Sequence, residues 1–380
     1  MARSIEPLAR EDGRDRISLL DPTREYDAHR AELLAACERV LGRMQLLGGE
    51  ELRAFETEMA GYLGTRRACG VASGTDALWL AVSAADLLAG DEVLLQANAF
   101  VAAVEALHRA GVTPIPIDIR LSDLGPDPGE VEARLGPRTR GILVTHLHGL
   151  PVDLDPILAI ARRRGLIVIE DCSHAHGASL DGRRVGSFGA AGAFSLGVVK
   201  NLAAYGDAGL VSTDDDALAD RVRLLGVHGQ RAKNDHVCYG SNSRLDELHA
   251  AFLRVKLRFL DARNRRRTAI ARYYDGRLGA FATVPPSDPR RVHVYHQYVV
   301  RTALRDALQA HLRALGIDTG IHYPVPIHRQ RAWLTTFGES PPLPNAERAA
   351  AEMLSLPVHP DLTDVEVERV ADTVAGFFRG

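Results

Sequence analysis

The sequence predicts an α/β protein: a large domain on a mainly parallel sheet, then a smaller α+β domain. Two observations carry this. Short apolar runs alternate with helical stretches from Ala68 to Glu170, the pattern of a parallel sheet covered on both faces. From about residue 280 the texture changes: Pro285, Pro286 and Pro289 lead into one apolar run, and helices follow. A chain of 380 residues has ample length for both domains.

The elements follow in order. Residues 1–18 are charged, lack an apolar stretch and read as a poorly ordered arm. Apolar residues at helical spacing predict helices over 28–41 and 51–63. Strands are expected at 68–72, 92–96, 113–117, 141–145 and 166–170. Helices are expected between them at 75–85, 99–110, 127–135 and 154–164. A long helix over 244–260 and another over 269–278 follow, then a strand at 292–301 and helices at 306–315 and 364–378. The division implied is an arm to residue 18, a large domain over 19–265 and a small domain over 266–380.

Composition narrows the function classes. With 46 basic and 49 acidic residues the net charge is -3, which argues against a nucleic-acid binder. The triplets Arg162-Arg163-Arg164 and Arg265-Arg266-Arg267 read as solvated helix faces. No apolar run approaches the roughly 18 residues that span a bilayer, and the N-terminus has no secretory pattern. Cys37, Cys69, Cys172 and Cys238 are far apart and form no CxxC pair, so neither a zinc site nor a disulfide framework is expected. A reducing cytoplasm fits these features.

In open parallel sheets ligands sit at the carboxyl ends of strands. The run Gly165–Ile169 leads into Glu170-Asp171. A carboxylate there needs a cationic partner, such as a pyridinium nitrogen that it would keep protonated. A helix N-cap is the other reading. At Ser73-Gly74-Thr75 a strand meets a helix through a small turn. Its backbone N–H groups suit a phosphate, although such a turn taken alone is more often a plain cap. Lys200 ends the apolar run Phe194–Val199 amid small residues. Burial lowers an amine's pKa and suits a Schiff-base lysine, while a snorkelling strand-end lysine is the alternative.

The order of these features decides between the readings: the Ser-Gly-Thr turn, then the strand-end Asp, then Ser195 with Lys200-Asn201. Further stretches accompany them. Those before the aspartate are Phe55-Glu56, Tyr62-Leu63-Gly64 and Ala97-Asn98-Ala99-Phe100. Those after it are Tyr205–Gly209, His228-Gly229-Gln230, Asn242–Glu247, Ile321-His322-Tyr323-Pro324 with His328, and Leu354–Pro357. Jointly they resemble the DegT/DnrJ/EryC1/StrS family of PLP-dependent sugar aminotransferases, over nearly the whole chain.

The resemblance implies a type I PLP-transferase fold, like that of aspartate aminotransferase, and pyridoxal 5'-phosphate as cofactor. Lys200 would carry the cofactor and move the proton, and Asp171 would pair with the pyridine nitrogen. Ser73, Gly74, Thr75 and Ser195 would hold the phosphate, completed by Asn242 from the partner of a homodimer with shared sites. Phe100 would stack on the ring. His174 stands where the family commonly has Gln beside the ring hydroxyl. His322, Tyr323 and His328 fall in the stretch that borders the substrate, although a packed Pro-rich turn is the alternative.

The implied reaction moves an amino group from glutamate or glutamine to a keto-sugar, foremost a nucleotide-linked 3-keto-6-deoxyhexose, in amino-sugar and antibiotic biosynthesis. A 4-keto sugar and a cyclitol ketone are the alternatives. A related PLP sugar dehydratase would carry His in place of Lys200. A non-catalytic regulatory protein would not need the Lys–Asp–phosphate set. A nicotinamide dehydrogenase would need a GxGxxG run, which is absent.

Overall fold

Val, Ile and Leu fill the strands between residues 92 and 171, and both faces of those strands are buried, as a central parallel sheet requires. The computed structural model describes residues 16–380. The first half holds α1 (Pro22–Arg43), α2 (Glu50–Leu63), β1 (Arg67–Val71), α3 (Gly74–Ala84), β2 (Glu92–Gln96), α4 (Val101–Arg109) and β3 (Thr113–Ile117). Then come α5 (Pro128–Ala133), β4 (Thr139–Thr145), α6 (Leu154–Arg164), β5 (Ile167–Asp171), the short β6 (Ser179–Leu180) and β7 (Arg183–Arg184), β8 (Ala191–Ser195) and β9 (Gly209–Thr213). These are followed by α7 (Asp216–Gly226), the hairpin β10 (Gln230–Ala232) and β11 (Asp235–His236), α8 (Glu247–Leu257) and α9 (Leu260–Leu278). The remainder is β12 (Arg291–Val292), β13 (Tyr298–Arg301), α10 (Arg305–Ala314), α11 (Arg331–Phe337), α12 (Pro344–Glu352), β14 (Met353–Leu356) and α13 (Asp364–Arg379).

The seven-stranded sheet has the order β1-β9-β8-β5-β4-β2-β3. Its pairs are parallel except that β9 runs antiparallel to both β1 and β8. Side chains alternate between the two faces, and the cores show it. Val93, Leu95, Leu143 and Ile169 pack with α3 and α4, whereas Leu94, Ile142, Val144 and Val168 pack with α6. By this parity Thr145, Asp171 and Ser195 all emerge at their strand ends on the α3 side, and Glu170 emerges on the other.

A second core is built from Ile270, Tyr274, Tyr298, Leu308, Leu356 and Val370, on α9, α10, α13, β13 and β14. The 265/266 boundary falls inside α9, whose Leu260 belongs to a core shared with α2 and β8. The arm expected over 1–18 lies outside the described residues as far as residue 15. Ile17 is 1% exposed and bridges to Ile317, so the arm reading fails there. The helix expected over 244–260 breaks between α8 and α9. The strand expected over 292–301 is two pieces, because residues 293–297 carry histidines and glutamine that turn inward instead of pairing. The second arginine triplet is not wholly solvated: Arg265 is exposed, while two residues on Arg267 is 5% exposed.

Candidate active site

A cavity of about 130 Å³ opens where α3 meets the ends of β4, β5 and β8. Ser73, Gly74, Thr75, Phe100, Asp171, His174, Ser195 and Lys200 all line it, so eight residues singled out from the sequence meet in one place. Thr145, Leu147, Ser173 and Asp207 line it as well and were missed.

The α3 end of the cavity is built for an anion. Ser73 is the N-cap, and its hydroxyl accepts from the Asp76 N–H at 3.1 Å. That bond uses the oxygen as acceptor and leaves the Ser73 O–H free to donate into the cavity. The Gly74 and Thr75 N–H groups, the first two of the helix, have no acceptor among the described residues, as expected for a helix start. Their partial positive charge faces the cavity. Glycine is required at 74: a Cβ there would lie 2.4 Å from Ser195 Cβ and 2.8 Å from Ser195 Cα. Gly209 closes the turn in the same way, since a Cβ would lie 2.1 Å from the Ser73 carbonyl oxygen.

Asp171 ends β5 and is 3% exposed. Its Oδ1 accepts from the Ser173 N–H at 3.0 Å, and its Oδ2 has no partner among the described residues. A buried carboxylate oxygen left in this way suits a cationic N–H. Glu170, one residue earlier, is fully satisfied. Its Oε2 accepts from His146 Nε2 at 3.0 Å and Gly186 N at 2.8 Å, and its Oε1 from Phe188 N at 2.7 Å and Gly189 N at 2.8 Å. His146 Nδ1 accepts from Val152 N at 3.0 Å, which places the ring proton on Nε2. Burial opposes the Glu170 charge, but these donors hold its pKa below the usual 4.5. Cys172 offers a sulfur near the same two residues, yet their ligand atoms are already used in this network.

Lys200 follows β8 in a turn, with its N–H bonded to the Gly197 carbonyl at 3.0 Å. It does not end a strand as the apolar run suggested: β8 stops at Ser195, and Val198 and Val199 are 55% and 48% exposed. Burial pulls the Lys200 amine from 10.5 to about 8, against the opposing pull of Asp171. A substantial fraction is then neutral and nucleophilic near pH 8. Asn201 anchors this turn, donating to Asn264 Oδ1 at 3.0 Å and the Val294 carbonyl at 3.1 Å. Its Oδ1 therefore accepts from His296 Nδ1 at 3.1 Å.

His174 Nδ1 accepts from the His148 N–H at 3.3 Å. The ring proton thus sits on Nε2, which lies 3.5 Å from the Tyr323 hydroxyl. Burial beside Lys200 and His296 keeps the ring neutral, so it can supply the donor that a glutamine would. Tyr323 also reaches Phe100, with ring centroids 5.1 Å apart at the cavity mouth. His322 turns away, to the Ser355 hydroxyl at 2.8 Å. His328 does not join the site: it is fully buried, 3.0 Å from Glu347, and packs as in a Pro-rich turn. Asn242 does not line the cavity of its own chain, and its Oδ1 accepts from Arg244 Nε at 2.9 Å.

Thr145 is the most informative residue missed. It pairs in register with Asp171, and its hydroxyl is buried without a partner. An orphaned hydroxyl, an open carboxylate oxygen and two free N–H groups around one lysine fit a bound phosphate ester of a basic heterocycle. Nothing in the sequence near Thr145 separates it from an ordinary strand-end threonine.

A family model for the DegT/DnrJ/EryC1/StrS aminotransferases matches residues 27–375. The dTDP-3-amino-3,4,6-trideoxy-alpha-D-glucose transaminase of Streptomyces venezuelae is 43% identical over 368 residues, 94% of this chain and 95% of that protein. The dTDP-3-amino-3,6-dideoxy-alpha-D-galactopyranose transaminase of Aneurinibacillus thermoaerophilus is 40% identical over 359 residues, 94% and 98% of the two chains. The solved structure of S. venezuelae DesV in complex with a ketimine intermediate superposes with a TM-score of 0.93 at 42% identity, covering 96% of this chain and 99% of that one. With the site geometry, these likenesses establish that the chain belongs to the DegT/DnrJ/EryC1/StrS aminotransferase family.

Proposed function

We propose that this aminotransferase uses pyridoxal 5'-phosphate to move an amino group from glutamate or glutamine to a nucleotide-linked 3-keto-6-deoxyhexose. One observation carries the reading. The Lys200 amine, lowered to about 8, shares a cavity with the open oxygen of Asp171 and the free N–H groups that start α3. The cofactor, when bound, supplies an electron sink for the donor's Cα. Gly74 and Thr75 N–H and the Ser73 and Ser195 hydroxyls would hold its phosphate. Asp171 Oδ2 would keep its ring nitrogen protonated, and Phe100, His174 Nε2–H and the Thr145 hydroxyl would contact its ring. Lys200 Nζ would hold the cofactor and, as a neutral amine, would take the proton from the donor's Cα.

The 3-keto assignment rests on the two relatives named for 3-amino sugars, together with the Asn242–Glu247 and His322–Pro326 stretches. We assign the assembly as a homodimer in which Asn242 completes the partner's phosphate site. The test of substrate is spectroscopic. The amino form of the loaded enzyme is mixed with 3-keto and 4-keto nucleotide sugars and with inososes, and recovery of the visible band is followed. Fastest recovery with the 3-keto compounds is expected; recovery with an inosose alone would replace the sugar by a cyclitol.

A further inference from the structure

A second cavity, of about 160 Å³, lies behind the Lys200 turn. Val199 lines it, and so do His296 and His322. The His296 ring lies 4.4 Å from that of His174, which lines the first cavity, so the two cavities share a wall. Leu20 and Leu356 give the second one an apolar side.

Its one charged lining residue is Arg267, on α9. The guanidinium is poorly provided for. Nη1 reaches the Tyr295 and Val358 carbonyls, each at the long distance of 3.4 Å. Nε and Nη2 have no partner among the described residues, and no carboxylate there forms an ion pair with Arg267. The acidic groups that influence it, Glu25 and Asp361, are engaged elsewhere. Glu25 pairs with Lys256 at 2.7 Å and Arg263 at 3.3 Å, and Asp361 pairs with Arg263 at 2.7 Å. Burial, with Arg263, pulls the guanidinium down to about 9, and Glu25 and Asp361 offset this only in part. The facing His296 and His322 are held neutral by burial near Lys200.

A buried cation without a counter-charge is costly, and a carboxylate that offers two oxygens to the guanidinium fork removes that cost. The apolar side of the cavity suits an aliphatic chain better than a diphosphate, and the start of α3 already provides for a phosphate in the neighbouring cavity. We propose that Arg267 binds a carboxylate of the amino-acid donor, with its Nε and Nη2 donating to the two oxygens. The assignment rests on the aminotransferase reading above and adds the donor's place in it.

The test uses the cofactor-loaded dimer and follows loss of the visible band in a single turnover with glutamate. Arg267→Met keeps the stem and removes the fork. Its half-saturating glutamate concentration should rise at least about tenfold, the scale of losing a charge-assisted pair. Saturation by the aminated sugar in the reverse half-reaction should be unchanged. Glutarate, which has both carboxylates and no amine, should compete with glutamate on the wild-type enzyme, and inorganic pyrophosphate should not. An unchanged glutamate requirement in folded, loaded Arg267→Met overturns the proposal. Should that variant not fold, failure of glutarate to compete on the wild type overturns it, as does competition by pyrophosphate alone. If no amino acid discharges the band of the wild-type protein, the aminotransferase reading itself falls. A shifted glutamate requirement with intact sugar saturation supports both.

Discussion

His146 Nε2 donates to Glu170 Oε2 at 3.0 Å, and this buried pair fixes the strand end on which the next residue is Asp171. Three backbone N–H groups, of Gly186, Phe188 and Gly189, complete the carboxylate's shell. The loop 186–189 and strand β5 are thus tied together from the face opposite α3. Asp171 is positioned by a residue that never enters the cavity.

Glu170→Gln should cost about 3 kcal/mol, the scale of breaking a buried, hydrogen-bonded charge pair. An amide brings two donors to a site that already supplies four. The folded-state pKa lies below the ordinary 4.5, so the carboxylate adds stability above that pH and loses it as the pH falls further. Urea unfolding at neutral pH and across the acid range measures both effects. The variant should be less stable at pH 7 and show a shallower acid limb. A loss well under 1 kcal/mol would mean the network is incidental.

The sequence has lysine only at 200, 233 and 256, which makes the carrier lysine easy to test. Lys256 is 4% exposed and paired with Glu25 at 2.7 Å, and Lys233 sits exposed in the turn between β10 and β11. Borohydride reduction of the loaded protein and peptide mapping should therefore place the label on Lys200. Capture needs the neutral amine, so its rate should rise with pH to a midpoint near the value of about 8 set by burial, not near 10.5. A label on Lys233 or Lys256 would overturn the assignment.

How much of this was legible depends on what local sequence encodes. The parallel strands were, because runs such as Val93–Leu95 and Ile142–Val144 are apolar on both faces. The reversal of β9 was not, since Gly209–Thr213 carries no mark of direction, only of extension. The break between α8 and α9 has neither Gly nor Pro to announce it. Within the site, Lys200 and Asp171 were legible from the order of motifs. Thr145 needed the pairing of β4 with β5, which is a tertiary fact. Arg267 hid inside a basic triplet, where only the helical phase of α9 tells a buried arginine from a solvated one. His328 carried the motif's wording but pairs with Glu347 away from the cavity, because the neighbouring Ile327 packs into the α3 core.

Asp171→Asn should lower kcat by about 10² or more, the scale of removing a preorganised charge from a reacting centre, while cofactor is still retained. The amide can keep the Ser173 N–H bond of 3.0 Å through its oxygen. It cannot hold a proton on a ring nitrogen. Steady-state turnover together with cofactor content after dialysis separates the two roles. Near wild-type turnover in the loaded variant would reduce Asp171 to a local turn residue.

The last prediction concerns assembly. Asn242 makes a local bond to Arg244 at 2.9 Å and does not line the cavity that holds Lys200 in the same chain. A residue shared across a two-fold axis behaves in this way: it points outward in its own subunit and completes the neighbour's site. Each site of the proposed dimer would then take Lys200 from one chain and Asn242 from the other. Consider a Lys200→Ala chain refolded with a chain crippled at Asn242. In a mixed dimer one site receives both defects and the other receives neither. Random pairing makes about half of the dimers mixed, so about a quarter of wild-type activity should return. If each chain built its own site, every site would keep one defect and nothing would return. Native mass spectrometry establishes that mixed dimers form, and the assay of the same sample decides. Activity no greater than the mean of the two parents, in a sample rich in mixed dimers, assigns the phosphate site to a single chain.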